Sequence, residues 1–174
     1  ELRLIRQSDV TLVVSPIEQG LLQRGVPGSR IEVLSNVHEV VGLRAGFDPR
    51  WRGDFAALNI EWLQRWFVVE PFDREVLGNP EHTILADGGR ILFAVDEEQR
   101  ALGTVALMHG GDGVYELTKM AVAPEARGRG IGRLLMDEAL WLYRSLGARE
   151  LFLESSSKLG PALALYESVG FRHH

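Results

Sequence analysis

The stretch Arg127-Gly128-Arg129-Gly130-Ile131-Gly132 packs three glycines and two guanidinium groups into six residues. It stands between an extended run, 116–122, and a helical run from Ile131 to Leu146. A strand, a glycine-rich loop and a helix in that order hold phosphate well. Free N–H groups at the helix start point outward along the positive end of the helix dipole, and glycine lets an anion approach the backbone. Arg127, Arg129 and Arg133 add positive charge. A Rossmann loop would need a third glycine where Arg133 stands, and a P-loop would need Gly-Lys-Ser/Thr, which is missing. The net charge of -5 argues against a nucleic-acid binder, so this basic spot suits a small anionic ligand. The absence of cysteine excludes thiol catalysis, disulfides and thiolate-ligated metal, and no metal site is expected.

The elements that position this loop can be read from periodicity. Gly42-Leu43-Arg44-Ala45 reads as a short strand, and Phe55, Leu58, Trp62 and Trp66 define an amphipathic helix over 54–67. A second short helix runs over about 71–77 and stops at Gly78-Asn79-Pro80. The aromatic residues of 47–72 are read as core, with a substrate-gripping role for some of them as the minority reading. A meander follows, with strands at 83–86, 91–95, 102–108 and 114–122 and turns at Asp87-Gly88-Gly89 and 109–113. After the 131–146 helix, Gly147 is a C-cap, Leu151-Phe152-Leu153 is a strand parallel to 114–122, and 159–168 is the last helix. Gly170-Phe171 opens a final strand that looks cut short at His174. With 174 residues, 45% of them hydrophobic, there is enough chain for one domain with a real core. Neither a membrane-length apolar run nor a signal peptide is visible, so no membrane partner is expected and a cytoplasmic setting is.

The front of the chain has a different texture. Asp9 to Val14 is a β-branched run, Ser15-Pro16 starts a helix carrying Ile17, Leu21 and Leu22, and Ile31 to Leu34 is a second strand. This reads as a βαβ unit. The pieces Val13 to Gln19 and Val33 to Val40 resemble a short part of a GT-B-type glycosyltransferase. The resemblance covers only about forty residues and none of the nucleotide-sugar half, so residues 1–41 are expected to be a non-catalytic fragment before a main domain over 42–174.

The main domain resembles the GNAT superfamily of N-acetyltransferases. The pieces that carry the likeness are Met120-Ala121-Val122-Ala123-Pro124, the hexamer 127–132, Leu153-Glu154-Ser155, and Ala164-Leu165-Tyr166-Glu167-Ser168-Val169-Gly170-Phe171. All four occur in the family's order and spacing. The resemblance implies an α+β fold, with helices flanking a mixed, mostly antiparallel sheet that splays in a central V. Its last strands would be truncated here. It also implies acetyl-CoA as acyl donor, with the loop amides from Gly128 to Gly132 on the pyrophosphate and pantetheine added like a strand beside Met120, Ala121 and Val122. An N–H near Met120 would polarise the thioester and stabilise the oxyanion. Glu116 matches the general-base glutamate of histone-acetylating members, and Tyr166 the tyrosine assigned as general acid. Ser156 stands where the family often has Asn, a shorter and weaker cofactor contact. Lys119 and His109 are read as structural.

The expected reaction is therefore acetyl transfer from acetyl-CoA to a primary amine, on a small molecule or a peptide, by direct attack. The alternatives are an acyl-CoA-binding module without turnover and, least favoured, a glycosyltransferase remnant. The acceptor is not legible, and a homodimer is left open.

Overall fold

A computed structural model of the chain describes residues 10–14, as backbone, and 42–173. Seven strands form one sheet in the order β2-β3-β4-β5-β6-β1-β7. In chain order they are β1 (Val10–Val14), β2 (Gly42–Ala45), β3 (Arg90–Val95), β4 (Ala101–Gly111), β5 (Val114–Val122), β6 (Glu150–Ser155) and β7 (Arg172–His173). The helices are α1 (Arg52–Trp66), α2 (Pro71–Gly78), α3 (Ile131–Ser145) and α4 (Gly160–Ser168). Every described strand pair is antiparallel except β5 with β6, which run parallel through the α3 crossover.

Both faces of the sheet are covered, and β3 shows it residue by residue. Leu92 and Ala94 join the cluster under α3, whereas Ile91, Phe93 and Val95 join the one under α1 and α2. A strand buried on both faces reads as a continuous apolar run, as 91–95 does. Helix α3 presents Ile131, Leu135, Met136, Ala139, Leu140 and Tyr143 to the sheet, a spacing that keeps one stripe inward. It lies close because β4 has a glycine beneath it: a Cβ on Gly103 would sit 2.9 Å from Leu135 Cδ1 and 3.0 Å from the Ala121 carbonyl oxygen. On the opposite face Trp51 and Phe55 pack their rings on Phe93, with centroids 5.2 and 6.4 Å away. Fully burying a side chain such as Phe55 stabilises the fold by about 1.5–3 kcal/mol.

Two local expectations are corrected. Thr83–Ala86 is not a strand. The chain makes one wide helical turn over Glu81–Leu85, in which the Ala86 N–H reaches back five residues to the Glu81 carbonyl at 3.0 Å. Pro80 suits a helical start, and the Thr83 hydroxyl donates to the Asn79 carbonyl at 2.9 Å, so the backbone has a local partner in place of a neighbouring strand. A four-residue apolar run cannot distinguish the two by periodicity. The expected turn over 109–113 is also shorter. Strand β4 continues to Gly111, and Asp112 and Gly113, with φ of 48° and 74°, make a two-residue hairpin.

Strand β1 lies between β6 and β7, with Val10 opposite Ser155, Val14 opposite Leu151, and Leu12 opposite His173. The helix and second strand expected over 15–34 fall outside the described residues. The feature that makes the site is a divergence. Strands β5 and β6 pair at three positions only, Val114 with Glu150, Tyr115 with Leu151 and Glu116 with Phe152. Beyond Glu116 they part, and backbone groups along the inner edge of β5 lose their neighbour. This is the V-shaped splay expected above.

Candidate active site

Strand β5 would point Glu116, Thr118 and Met120 to one face if it were regular. A bulge prevents that. Ala106 pairs with Thr118 and Thr104 with Ala121, so Val105 on β4 faces two residues, Lys119 and Met120. Lys119 has a φ of 50°, a left-handed backbone that a side chain adopts at some cost. The consequence is a change of parity. Tyr115 and Leu117 pack towards α3, and so do Met120 and Val122 beyond the bulge. Glu116 and Lys119 are left to line the space on the α1–α2 side. The Lys119 ammonium donates to Asp73 Oδ1 at 3.0 Å, and Asp73 Oδ2 accepts the Glu70 N–H at 3.2 Å. One carboxylate thus ties the start of α2 to the bulge, in a setting where both side chains are largely buried.

The splay opens into a cavity of about 520 Å³. Of the residues selected from sequence, Glu116, Met120, Ala121, Val122, Arg127, Ser156 and Tyr166 line it. Gly128, Arg129, Gly130, Ile131 and Gly132 do not line it, but continue from Arg127 at its edge. Glu116 is 9% exposed, and burial pushes its carboxyl above the ordinary value. The Thr118 hydroxyl works against that shift, Glu154 adds to it by like charge, and Lys119 opposes it. Tyr166, half-buried with its ring edge-on to Phe171, has its hydroxyl pushed up to about 12 by desolvation. The site thus holds a carboxylate held back from ionising and a phenol that stays protonated.

The glycine loop has the geometry of an open cradle. Gly128 and Gly130 have φ of 74° and 80°, and a Cβ on either would meet no atom within 4 Å. These glycines serve the backbone angle and leave the approach clear. The first α3 hydrogen bond runs from the Leu134 N–H to the Gly130 carbonyl at 3.0 Å, so the N–H groups of Ile131, Gly132 and Arg133 have no acceptor within the helix. That donor set fits a pyrophosphate. The arginines are more engaged than sequence implied. Arg127 donates to the Val122 carbonyl at 3.1 Å and pairs with Glu61 of α1, and Arg133 pairs with Asp137 at 2.9 and 3.0 Å. Ser156 is buried and its hydroxyl accepts the Lys158 N–H at 3.4 Å, so part of its capacity serves the turn into α4. His109 lies away from the cavity, its ring stacked 4.9 Å from Tyr115 and its Nδ1 2.9 Å from the Asp87 carbonyl oxygen.

Sequence reasoning favoured the core over the cavity for the wall opposite β5. Trp62, Phe67 and Phe72 are half-buried against the core on one side and line the cavity on the other, and Trp66 lines it with its ring half-exposed. Their signal was present: Phe55, Asn59 and Leu63 already form the buried stripe of α1, so Trp62 and Trp66 make a second stripe one residue out of phase. An aromatic stripe wider than the core requires has another surface to serve.

Comparison with known proteins agrees with this geometry. Residues 87–173 match the model of the acetyltransferase (GNAT) domain. The chain is 35% identical over 127 residues to an N-acetyltransferase of Schizosaccharomyces pombe, covering 71% of this chain and 78% of that one. It is 35% identical over 89 residues to glucosamine 6-phosphate N-acetyltransferase of Trypanosoma brucei brucei, covering 48% of this chain and 58% of that one. Among solved structures, a GNAT-family acetyltransferase from Staphylococcus aureus superposes with a TM-score of 0.70 at 21% identity, over 76% of this chain and 84% of that one. The chain belongs to the GNAT acetyltransferase family, and as an enzyme it is an acyltransferase. These matches give no support to the glycosyltransferase resemblance of residues 1–41. Among the described residues no helix is long and apolar enough to cross a membrane.

Proposed function

We propose that the chain transfers an acetyl group from acetyl-CoA to a primary amine by direct attack, with Glu116 as general base and Tyr166 as general acid. The observation that carries this reading is that both side chains line the cavity opened by the β5–β6 splay, at whose edge the glycine loop starts. The family uses acetyl-CoA as acyl donor, and both relatives above are named N-acetyltransferases, which supports nitrogen as the acceptor atom.

The loop amides of 128–132 hold the pyrophosphate, and the unpaired edge of β5 beyond Glu116 offers backbone partners to the pantetheine arm. Bound acetyl-CoA supplies the thioester carbonyl; a C–N bond forms to it and the C–S bond breaks. Ionised Glu116 takes one proton from the incoming ammonium and passes it to solvent, leaving a neutral amine. Tyr166 gives its proton to the departing sulfur and is restored by the second proton shed from nitrogen as the amide forms. The shifts suit these tasks. Burial makes Glu116 a stronger base than an exposed carboxylate, and a phenol at about 12 is still protonated at neutral pH.

Calorimetry with acetyl-CoA, followed by coenzyme A release with a panel of amines, tests the proposal. Micromolar binding and amine-dependent release are expected. Binding without release from any amine would reduce the protein to an acyl-CoA-binding module, and absence of binding by folded protein would end the reading altogether.

A further inference from the structure

The cavity's charged groups are unequally committed. Asp73 is occupied by Lys119 and by the Glu70 N–H, and Arg127 by Glu61 and the Val122 carbonyl. Arg65 lies over the Trp66 ring at 5.6 Å and Lys158 over the Phe67 ring at 5.9 Å. The Glu70 carboxylate is engaged by the backbone at the start of α2. That leaves Glu116 and Glu154, two carboxylates on the cavity wall that disfavour each other's charge, neither in an ion pair among the described residues. Burial disfavours the charge on both. A single ammonium placed against them relieves the repulsion and gives the pair its missing cation. The α1–α2 side of the wall is chiefly apolar, and the hydroxyls of Thr118, Ser155 and Ser156 lie elsewhere in the lining. Trp62 and Phe67 meet edge to face at 6.0 Å, Trp66 remains 47% exposed, and Phe72, Leu159 and Pro161 add to the apolar surface.

We infer that the acceptor is an apolar monoamine, its ammonium received by Glu116 and Glu154 and its hydrocarbon or aryl body laid on Trp62, Trp66, Phe67 and Phe72. This rests on the transfer reading above and narrows it to a substrate class. A polyamine would bring its second ammonium towards Arg65 and Lys158, where like charge repels it. A sugar phosphate would set a hydroxyl-rich body against the Trp62, Trp66, Phe67 and Phe72 rings, whose faces offer its hydroxyls little, and Lys119 and Arg127 already have carboxylates. An apolar body against exposed tryptophan and phenylalanine gains hydrophobic burial at every ring.

The experiment compares kcat/KM at saturating acetyl-CoA for phenethylamine, hexylamine, spermidine, glucosamine 6-phosphate and a peptide with one lysine. Phenethylamine and hexylamine are expected to exceed the others by about 10-fold or more, mainly through KM. A preference for spermidine, the sugar phosphate or the peptide, or a flat panel, overturns the inference while leaving transfer intact. Failure of every amine to release coenzyme A, despite acetyl-CoA binding, overturns the transfer reading and this one with it. Trp66→Ala removes a half-exposed ring and is expected to raise the phenethylamine KM about 10-fold with acetyl-CoA affinity unchanged. Trp141→Ala, on an exposed ring of α3 outside the cavity, is the control and should change neither. If Trp66→Ala lowers all acceptors equally, or none, the aromatic wall does not select the substrate.

Discussion

The two walls of the cavity are built from different materials. On one side β5 with its bulge, and beyond it the 127–132 loop that starts at the cavity's edge, present backbone: unpaired strand groups, three N–H groups at the start of α3, and glycines with positive φ. On the other, α1 and α2 present side chains, chiefly Trp62, Trp66, Phe67 and Phe72. Backbone chemistry forces particular residues into particular places, because only glycine accepts φ of 80° at Gly130 without strain. A side-chain wall can be rewritten by substituting rings without disturbing the fold. On the proposed assignment, the donor side is therefore stereotyped and the acceptor side individual. The same contrast says where mutations should abolish function and where they should redirect it.

The sharpest attempt to break the contrast is Gly130→Asp. It sets a carboxylate against the pyrophosphate and forces a side chain into left-handed backbone, at a cost to the fold of about 1 kcal/mol. Acetyl-CoA binding should be lost by calorimetry while far-ultraviolet circular dichroism is retained; near-normal affinity would mean the loop is not the anion site. Next in size is Tyr166→Phe, expected to lower turnover about 100-fold with acetyl-CoA affinity unchanged. Equal turnover would remove the general-acid role. Glu116→Gln should cost about as much, and it also alters the pH profile. The carboxyl must be ionised to accept a proton, and burial holds it above the ordinary 4.5, so wild-type turnover should fall on the acid side of that raised value. An acid limb that survives in Glu116→Gln would assign it to another group.

Stability carries the opposite sign. A carboxyl whose folded value is raised keeps its proton longer when folded, so its contribution is fully present below the unfolded value and is lost as pH rises through the folded one. Glu116→Gln should therefore flatten the decline in stability across that window, measured by urea titration at successive pH values. The smallest effect is expected from Asp73→Asn, which weakens the tie between α2 and the bulge. A loss of about 1–2 kcal/mol and a several-fold fall in kcat, with acetyl-CoA affinity unchanged, would place this link between the two walls. Restoration by Asp73→Glu would show that charge is what matters there, and loss of acetyl-CoA affinity instead would tie Asp73 to the donor wall.

Much of this was legible in the primary structure, for reasons that differ by element. Helix α3 could be read because one stripe must meet the sheet, and the 127–132 loop because its closely spaced glycines suit positive φ ahead of a helix start, whereas Arg127 turned out to be paired with Glu61. Glu116 and Tyr166 became candidates through family resemblance, and both line the cavity. The Thr83–Ala86 segment was misread because a helical turn and a strand can bury the same Ile84. The aromatic residues of 47–72 divided between core and cavity by helical phase: Trp51 and Phe55 went inward, Trp62 and Trp66 outward.

Periodicity, glycine placement and the order of four short motifs were enough to determine the family fold and to point to the 127–132 loop as the proposed anion site, since local backbone demands act on neighbouring residues. Tertiary structure alone decided the rest. The bulge at Lys119 depends on the register between β4 and β5, and the pairing of Arg127 with Glu61 joins residues 66 positions apart. That Glu116 and Glu154 have no ion-pair partner among the described residues depends on which cations other carboxylates have already taken. Such accounts close only when distant elements meet, and no local pattern encodes them.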